Sequence, residues 1–317
     1  MLIKVLGSAA GGGFPQINCS CPTCADARAG KPGLSGRTQS SLAVSSDGRT
    51  WALLNASPDL RQQVAATPEL APPAPTGAED GAVAVRGSPI KSVVLTNGDV
   101  DHIAGLLSLR EGFAFTIYAT ERVLATLAAN TIFDVLDRQL VERVSLPIGR
   151  SLPIAAAGAR LGLTVEAFPV PGKVALYLEN PSAGPGFGTR EGDTIGLRLS
   201  EPATGAAFYY IPGCAAVDAA LAARLKDAPL VFFDGTLYDD GEMIAQGLSA
   251  KTGRRMGHIS MSGPKGTLAA FRGLGVQRRI FVHINNSNPA LREGSAERRA
   301  VEAAGWEVAF DGMEISL

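Results

Sequence analysis

Two periodicities alternate along the chain. Short apolar or alternating runs, closed by Gly, Asn, Asp or Pro, predict strands at 2–7, 40–44, 50–55, 90–95, 115–119 and 165–170. The same signal recurs at 175–178, 194–199, 207–211, 230–234, 279–284 and 306–309. Helical spacing predicts helices at 58–66, 105–109, 121–140, 215–226, 264–274 and 296–304. Asp47-Gly48 turns one strand pair and residues 201–205 another. Strands dominate early in each half and a helix closes each half, which suits two facing sheets with helices outside.

Composition fills in the class. The 317 residues are 46% hydrophobic and 19% charged, so a large core is available and general disorder is excluded. A net charge of −1 gives no reason to expect nucleic acid or an anionic membrane as partner. No apolar run approaches the roughly 18 residues of a membrane span. The N-terminal stretch carries Lys4 and is broken at Gly7, so it reads as a first strand and not as a signal peptide. The expectation is a soluble, cytoplasmic protein forming one α/β domain over 1–317. Its loop insertions fall near 67–89, rich in Ala, Pro and Gly, and near 180–193, a candidate lid.

Chemistry concentrates in few residues. Cys19, Cys21 and Cys24 lie within six residues, too close for a comfortable disulfide framework. Three thiolates on one loop suit a structural, tetrahedral Zn2+ that needs a fourth ligand, with His258, Asn286 or a carboxylate as candidates. The three histidines, His102, His258 and His283, each sit in a site-like segment. Thr96–Gly105 runs from an apolar strand into a loop carrying Asp99, Asp101 and His102, a place to hold a metal. Cys214 ends another strand; a lone cysteine there is a small buried apolar group or part of a site wall. Gly11-Gly12-Gly13 has no helix start behind it and reads as a turn, not as a phosphate loop.

That metal loop resembles the His-x-His-x-Asp-His signature of the metallo-β-lactamase superfamily, with Asn97 and Asp99 replacing the two leading histidines and Asp101 and His102 kept. The resemblance implies an αββα sandwich, two facing mixed sheets with helices outside. It matches His283 to the last metal ligand and Asp59 to an early acidic residue supporting the metal loop, although Asp59 also reads as a helix N-cap. Cys214 replaces a bridging aspartate, and Asn286 stands where phosphodiesterase-like members carry a histidine. Asp234, with the later Gly257-His258-Ile259-Ser260, resembles the ribonuclease Z-like branch and marks Asp234 and His258 as candidate catalytic residues. If Asp101, His102 and His283 converge, two imidazoles and one carboxylate suit non-haem Fe(II) with open positions, though imidazole also suits zinc. The two missing histidines argue against a second tightly bound zinc.

Several segments together, 6–16, the cysteine cluster, Arg37-Thr38-Gln39-Ser40-Ser41, 96–105, 171–177 and 283–289, resemble the coenzyme PQQ synthesis protein B (PqqB) family across nearly the whole chain. The resemblance implies a role in making pyrroloquinoline quinone (PQQ), a redox cofactor built from a Glu and a Tyr of a precursor peptide. One implied activity is iron- and O2-dependent hydroxylation of the tyrosine ring in a Glu-Tyr-derived intermediate. Another is a carrier aiding transport of PQQ or its precursor to the periplasm, and a metal-dependent hydrolase is the superfamily's alternative. In the hydroxylase reading Asp101, His102 and His283 hold Fe2+, Asp99, His258 and Asp234 manage protons, and O2 is the co-substrate. Asn97 then hydrogen-bonds an oxygen species, while Lys173, Arg254, Arg255 and Asn286 contact the substrate. Expected partners are the precursor dipeptide or peptide, or PQQ itself, without nucleic acid or membrane; a homodimer is the oligomer allowed for.

Overall fold

The computed structural model describes residues 1–72, 86–156, 159–184 and 186–317. Among these, fourteen strands form two seven-stranded sheets. The first contains β1 (Leu2–Gly7), β2 (Ser41–Ser45), β3 (Trp51–Leu54), β4 (Ile90–Val94), β5 (Phe115–Ala119) and β6 (Val141–Ser145), with a late strand, Glu314–Ser316, paired to β1. The second runs β7 (Ser151–Ala156), β8 (Ala159–Pro169), β9 (Ile195–Ser200), β10 (Ala207–Ile211), β11 (Leu230–Asp234), β12 (Arg278–Val282) and β13 (Glu307–Val308) in order across the sheet. The late strand is β14 below.

The two-residue period of the strands sets the layers. Leu42 and Val44 of β2 turn inward between the sheets, as do Leu197 and Leu199 of β9 and Phe232 of β11. Their neighbours face out: Ala43 and Leu53 pack under the helices Leu60–Ala66 and Glu121–Ala129, and Phe233 under Ala219–Leu225 and Ala296–Ala303. On that outer side Phe281 stacks on Trp306 with centroids 4.0 Å apart. Three apolar layers alternating with two sheets make the expected αββα sandwich.

Mixed pairing places the site. β3 to β6 run parallel to one another, as do β10 to β13. The loops leaving the C-terminal ends of β4, β11 and β12 therefore gather at one edge of the sandwich, the usual place for a ligand on parallel strands. An Asn97–Thr194 bridge ties the β4 loop to the other sheet, and an Ala9–Ile284 bridge ties the β12 loop to the first.

Several expectations are corrected. The helix expected over 121–140 stops at Ala129, because Asn130 leaves the helical region and its side chain caps the Thr126 carbonyl at 2.8 Å. A 3-10 turn, Thr131–Val135, and a loop occupy the remainder, and β6 starts directly after it at Val141. Residues expected as a strand at 175–178 form a 3-10 turn, Leu176–Leu178, outside both sheets. The helix expected at 264–274 is a single turn, Thr267–Ala270. Residues 73–85 of the expected insertion, and residue 185 of the expected lid, lie outside the described residues. Among the described residues no helix is long and apolar enough to cross a membrane.

Candidate metal centre

From β4 the chain passes Thr96–Asp99 into one helical turn, Val100–Ile103, carrying Asp101 and His102. Asn55, held at φ 63°, accepts the Thr96 N–H on its Oδ1 at 2.9 Å, and the Ala56 N–H donates to the His102 carbonyl at 2.7 Å. A Cβ at Gly105 would lie 2.1 Å from the Ser57 carbonyl oxygen, so glycine alone lets this turn sit so close.

His102 Nδ1 lies 2.8 Å from Asn97 Oδ1. An amide oxygen only accepts, so Nδ1 carries the proton and Nε2 is bare. That Nε2 is buried without a hydrogen-bond partner and lies 3.8 Å from Asp101 Oδ2. Burial lowers the His102 pKa to about 4, keeping the ring in the neutral form that ligates metals. An orphaned buried acceptor is costly, and an ion between it and Asp101 would satisfy it.

His283 follows β12 with φ 58°, a strained conformation for a non-glycine residue. Its Nε2 is 3.0 Å from Asp101 Oδ2 and its Nδ1 is 2.8 Å from Thr236 Oγ1. Burial acts to lower its pKa, but the Asp101, Asp234 and Asp99 carboxylates together outweigh burial and the net shift is upward. Burial raises the Asp101 pKa, yet His102 and His283 together hold it well below the ordinary carboxylate range. Asp99, at the N-cap position of the turn, is shifted upward by burial and by the Asp101 charge.

Behind the histidines, Asp234 is fully buried and saturated. Its Oδ1 accepts from the Thr236 N–H at 2.9 Å and the Thr236 hydroxyl at 2.7 Å; its Oδ2 accepts from the Cys214 N–H at 2.8 Å and His258 Nδ1 at 2.7 Å. Since its proton goes to Asp234, the Thr236 hydroxyl accepts from His283 Nδ1. The His258 and His283 rings stack with centroids 5.2 Å apart.

Two sets could therefore hold an ion at this edge: Asp101, His102 and His283, and Asp234, His258 and His283, each with ligand atoms within 4.8 Å of one another. In the second set the Nδ1 atoms and the carboxylate are already engaged with one another and with Thr236. The first opens on a cavity of about 420 Å³ lined also by Asp99, Lys173 and His258.

The remaining sequence candidates divide. Asn97 lines the cavity, but its side-chain oxygen serves His102 Nδ1 and the Asp99 N–H at 3.0 Å. Lys173 reaches the cavity wall, and Arg255 lies behind it, both bound to Glu179. Arg254 is exposed, and its backbone N–H, not its guanidinium, binds Asp240 at 2.9 Å. Asp59 sits at a helix N-cap position without capping; its Oδ2 accepts from the Gln39 N–H at 2.8 Å instead. Cys214 is buried with its Sγ 3.0 Å from the Ala216 carbonyl, and burial pushes its thiol pKa up. Thr236 and Glu179 were not singled out from the sequence; hydroxyl and carboxylate side chains in loops carry no distinguishing spacing.

A second cluster lies nearby. Cys19, Cys21 and Cys24 are buried with their sulfurs within 4.8 Å of one another. Asn286 Nδ2 faces all three, at 3.1, 3.8 and 3.4 Å in that order. His258, another candidate for the fourth position, belongs instead to the edge described above. Burial pushes the Cys21 thiol up to about 11, whereas at Cys19 the contacts from its neighbours outweigh burial and the pKa falls. The loop from His283 to Asn288 thus supplies an imidazole to one cluster and an amide to the other. It is pinned by Asn285 N–H to the Thr236 carbonyl at 3.0 Å and by Asn288 Nδ2 to the Gly235 carbonyl at 3.0 Å.

A sequence model described as the beta-lactamase superfamily domain matches residues 50–284. The coenzyme PQQ synthesis protein B of Bradyrhizobium diazoefficiens is 52% identical over 316 residues, covering 99% of each chain. The chain belongs to the PqqB family. The PqqB of Gluconacetobacter diazotrophicus is 50% identical over 98% of both chains. The crystal structure of Zn2+-bound PqqB from Methylobacterium extorquens matches with a TM-score of 0.91 at 46% identity, covering both chains in full. A diphosphatase of the PhnP family shares the fold, with a TM-score of 0.65 at 20% identity over 99% of this chain and 96% of the other. In this chain, the two departures from the superfamily signature have distinct placements: Asn97 orients His102, and Asp99 accepts from the Leu176 backbone N–H of the 3-10 turn at 3.2 Å.

Proposed function

We propose that this chain acts in PQQ synthesis as an iron- and O2-dependent hydroxylase of the tyrosine ring in a Glu-Tyr-derived precursor. The observation that carries the reading is the convergence of Asp101, His102 and His283, with the buried Nε2 of His102 lacking a hydrogen-bond partner among the described residues. Two neutral-capable imidazoles and one carboxylate fit Fe(II), and Asp101, His102 and His283 would hold it. When bound, iron supplies the O2 chemistry that a phenol ring requires and that protein side chains lack. His258, oriented by Asp234, presents its other ring nitrogen as a proton donor or acceptor, and Asp99 is a second proton-handling group. Lys173 offers a cation to a substrate carboxylate.

The cysteine cluster is read as the structural zinc site. Cys19, Cys21 and Cys24 supply three ligands, and the Asn286 amide, rotated about its last bond, offers Oδ1 for the fourth.

Anaerobic loading with Fe(II), then O2 and ascorbate as the two-electron reductant with L-glutamyl-L-tyrosine, tests the reading by product mass. A gain of one oxygen atom, lost when zinc replaces iron and lost in His283→Ala, supports it. No oxidation with one iron bound per chain refutes it in favour of a carrier or hydrolase. A carrier predicts unchanged ligand affinity in Asp101→Asn and His283→Ala; a hydrolase predicts two bound ions at this edge.

A further inference from the structure

Lys173 and Arg255 share one carboxylate, and it belongs to the protein. Glu179 Oε1 lies 2.6 Å from Lys173 Nζ and 3.1 Å from an Arg255 guanidinium nitrogen; its Oε2 lies 2.8 Å from the other. The Arg255 guanidinium also stacks over Phe187 at 3.5 Å. Glu179 is buried to 9% side-chain exposure and Lys173 to 17%. Lys173 is the cation that faces the cavity, and Arg255 grips the same carboxylate from behind.

This carboxylate sits on a weakly held segment. Leu176, Tyr177 and Leu178, which precede it, are 56, 46 and 41% exposed, so little apolar surface anchors them. The polar anchors are few: Tyr177 Oη donates to the Gly98 carbonyl at 2.8 Å, and the Leu176 N–H donates to Asp99 Oδ1 at 3.2 Å. Both anchors end on the metal loop. Lys173, at 17% side-chain exposure, needs this counter-charge, and removing it without replacement would be costly; Arg255, at 31%, depends on it less. Exchanging one carboxylate for another keeps the count of charges and of charge-assisted hydrogen bonds unchanged.

We infer that Lys173 and Arg255 form a carboxylate subsite of the cavity and that Glu179 is its built-in occupant, displaced when a carboxylate-bearing substrate binds. The inference deepens the hydroxylase reading, since a Glu-Tyr-derived substrate brings such carboxylates, but it concerns binding and not oxidation. An internal competitor lowers the apparent affinity by the fraction of time it leaves the subsite free. It also screens out ligands lacking a carboxylate, which cannot repay the broken ion pairs.

Calorimetric titration of the metal-loaded full-length protein tests this with glutarate and L-glutamyl-L-tyrosine as probes. Glu179→Gln is expected to bind both about tenfold more tightly than the unaltered protein, and Lys173→Met to bind both about tenfold more weakly. Equal or weaker binding by Glu179→Gln, at an unchanged melting temperature, would overturn the inference and make Glu179 a plain structural clasp. If Glu179→Gln is less stable, Glu179→Ala with added acetate provides the second test: acetate should restore the melting temperature and compete with glutarate, and failure of both overturns the inference. Tightened binding without oxidation of the dipeptide refutes the hydroxylase alone, and oxidation without tightening refutes the subsite alone.

Discussion

Asn97 Oδ1 and His102 Nδ1 lie 2.8 Å apart, and this contact decides which nitrogen of His102 is available. The residue that replaces a superfamily ligand histidine has become the acceptor that orients another. Neighbours of this kind set ring orientation and basicity, and their loss costs roughly 10- to 100-fold in metal affinity. Asn97→Leu is therefore expected to weaken Fe(II) binding within that range, while Asn97→Asp, which retains an acceptor, loses less. Competition with a chromophoric chelator measures both, and equal affinities in the two variants would refute the orienting role.

Thr236 joins His283 to Asp234 through one hydroxyl. Thr236→Val keeps the shape but leaves a buried carboxylate oxygen and an imidazole N–H each short of a partner, a loss of about 1–3 kcal/mol. Thr236→Ser restores the hydroxyl. Valine should lower both melting temperature and Fe(II) affinity and serine should recover both; serine failing to recover them would refute the hydroxyl's role.

Cys21→Ser should release the loop at residues 19–24 from the Asn286 end of the structure. If zinc contributes folding free energy there, the variant loses bound zinc and a few kcal/mol of stability, of the order expected for losing a structural metal ligand. Unchanged zinc content and melting temperature in this variant would remove the structural role.

Much of the layered fold is legible along the chain because its strands are short apolar runs with a period of two. β1, β5, β10 and β11 fall at the expected residues. The segment 121–140 misleads because apolar spacing continues past Ala129, whereas the Asn130 side chain and the pairing of β6 with β5 end the helix. β6 and β14 escape notice since edge strands are half-exposed and lack a continuous apolar run. At the site, His102 and His283 stand out as two of only three histidines, and Asp101 stands beside one of them in the loop region after an apolar strand. Thr236, Glu179 and the orientation of Asn97 do not, because their roles depend on contacts between residues far apart in sequence.

Glu242 makes stability depend on pH. It is 7% exposed, its Oε1 accepts from Ser287 Oγ at 2.6 Å and its Oε2 from the Tyr238 N–H at 2.6 Å. Burial raises its pKa from 4.5 to about 7. The folded protein thus holds a proton that the unfolded chain releases, so the stabilisation is full below about pH 4.5 and is lost as pH rises through 7. The loss is on the order of 3 kcal/mol at most. Glu242→Gln mimics the protonated acid and should flatten urea-unfolding stability between pH 4.5 and about 7, the interval between the unfolded and folded titrations. An unaltered pH slope in this variant would place the dependence elsewhere.

The ribbon from His283 to Asn288 gives the two clusters a common mechanical support. With ions in both clusters, a shift of Asn286 among the thiols would be carried along this short loop to the backbone that aims His283. Any such coupling between the two occupied clusters would act with equal strength in both directions.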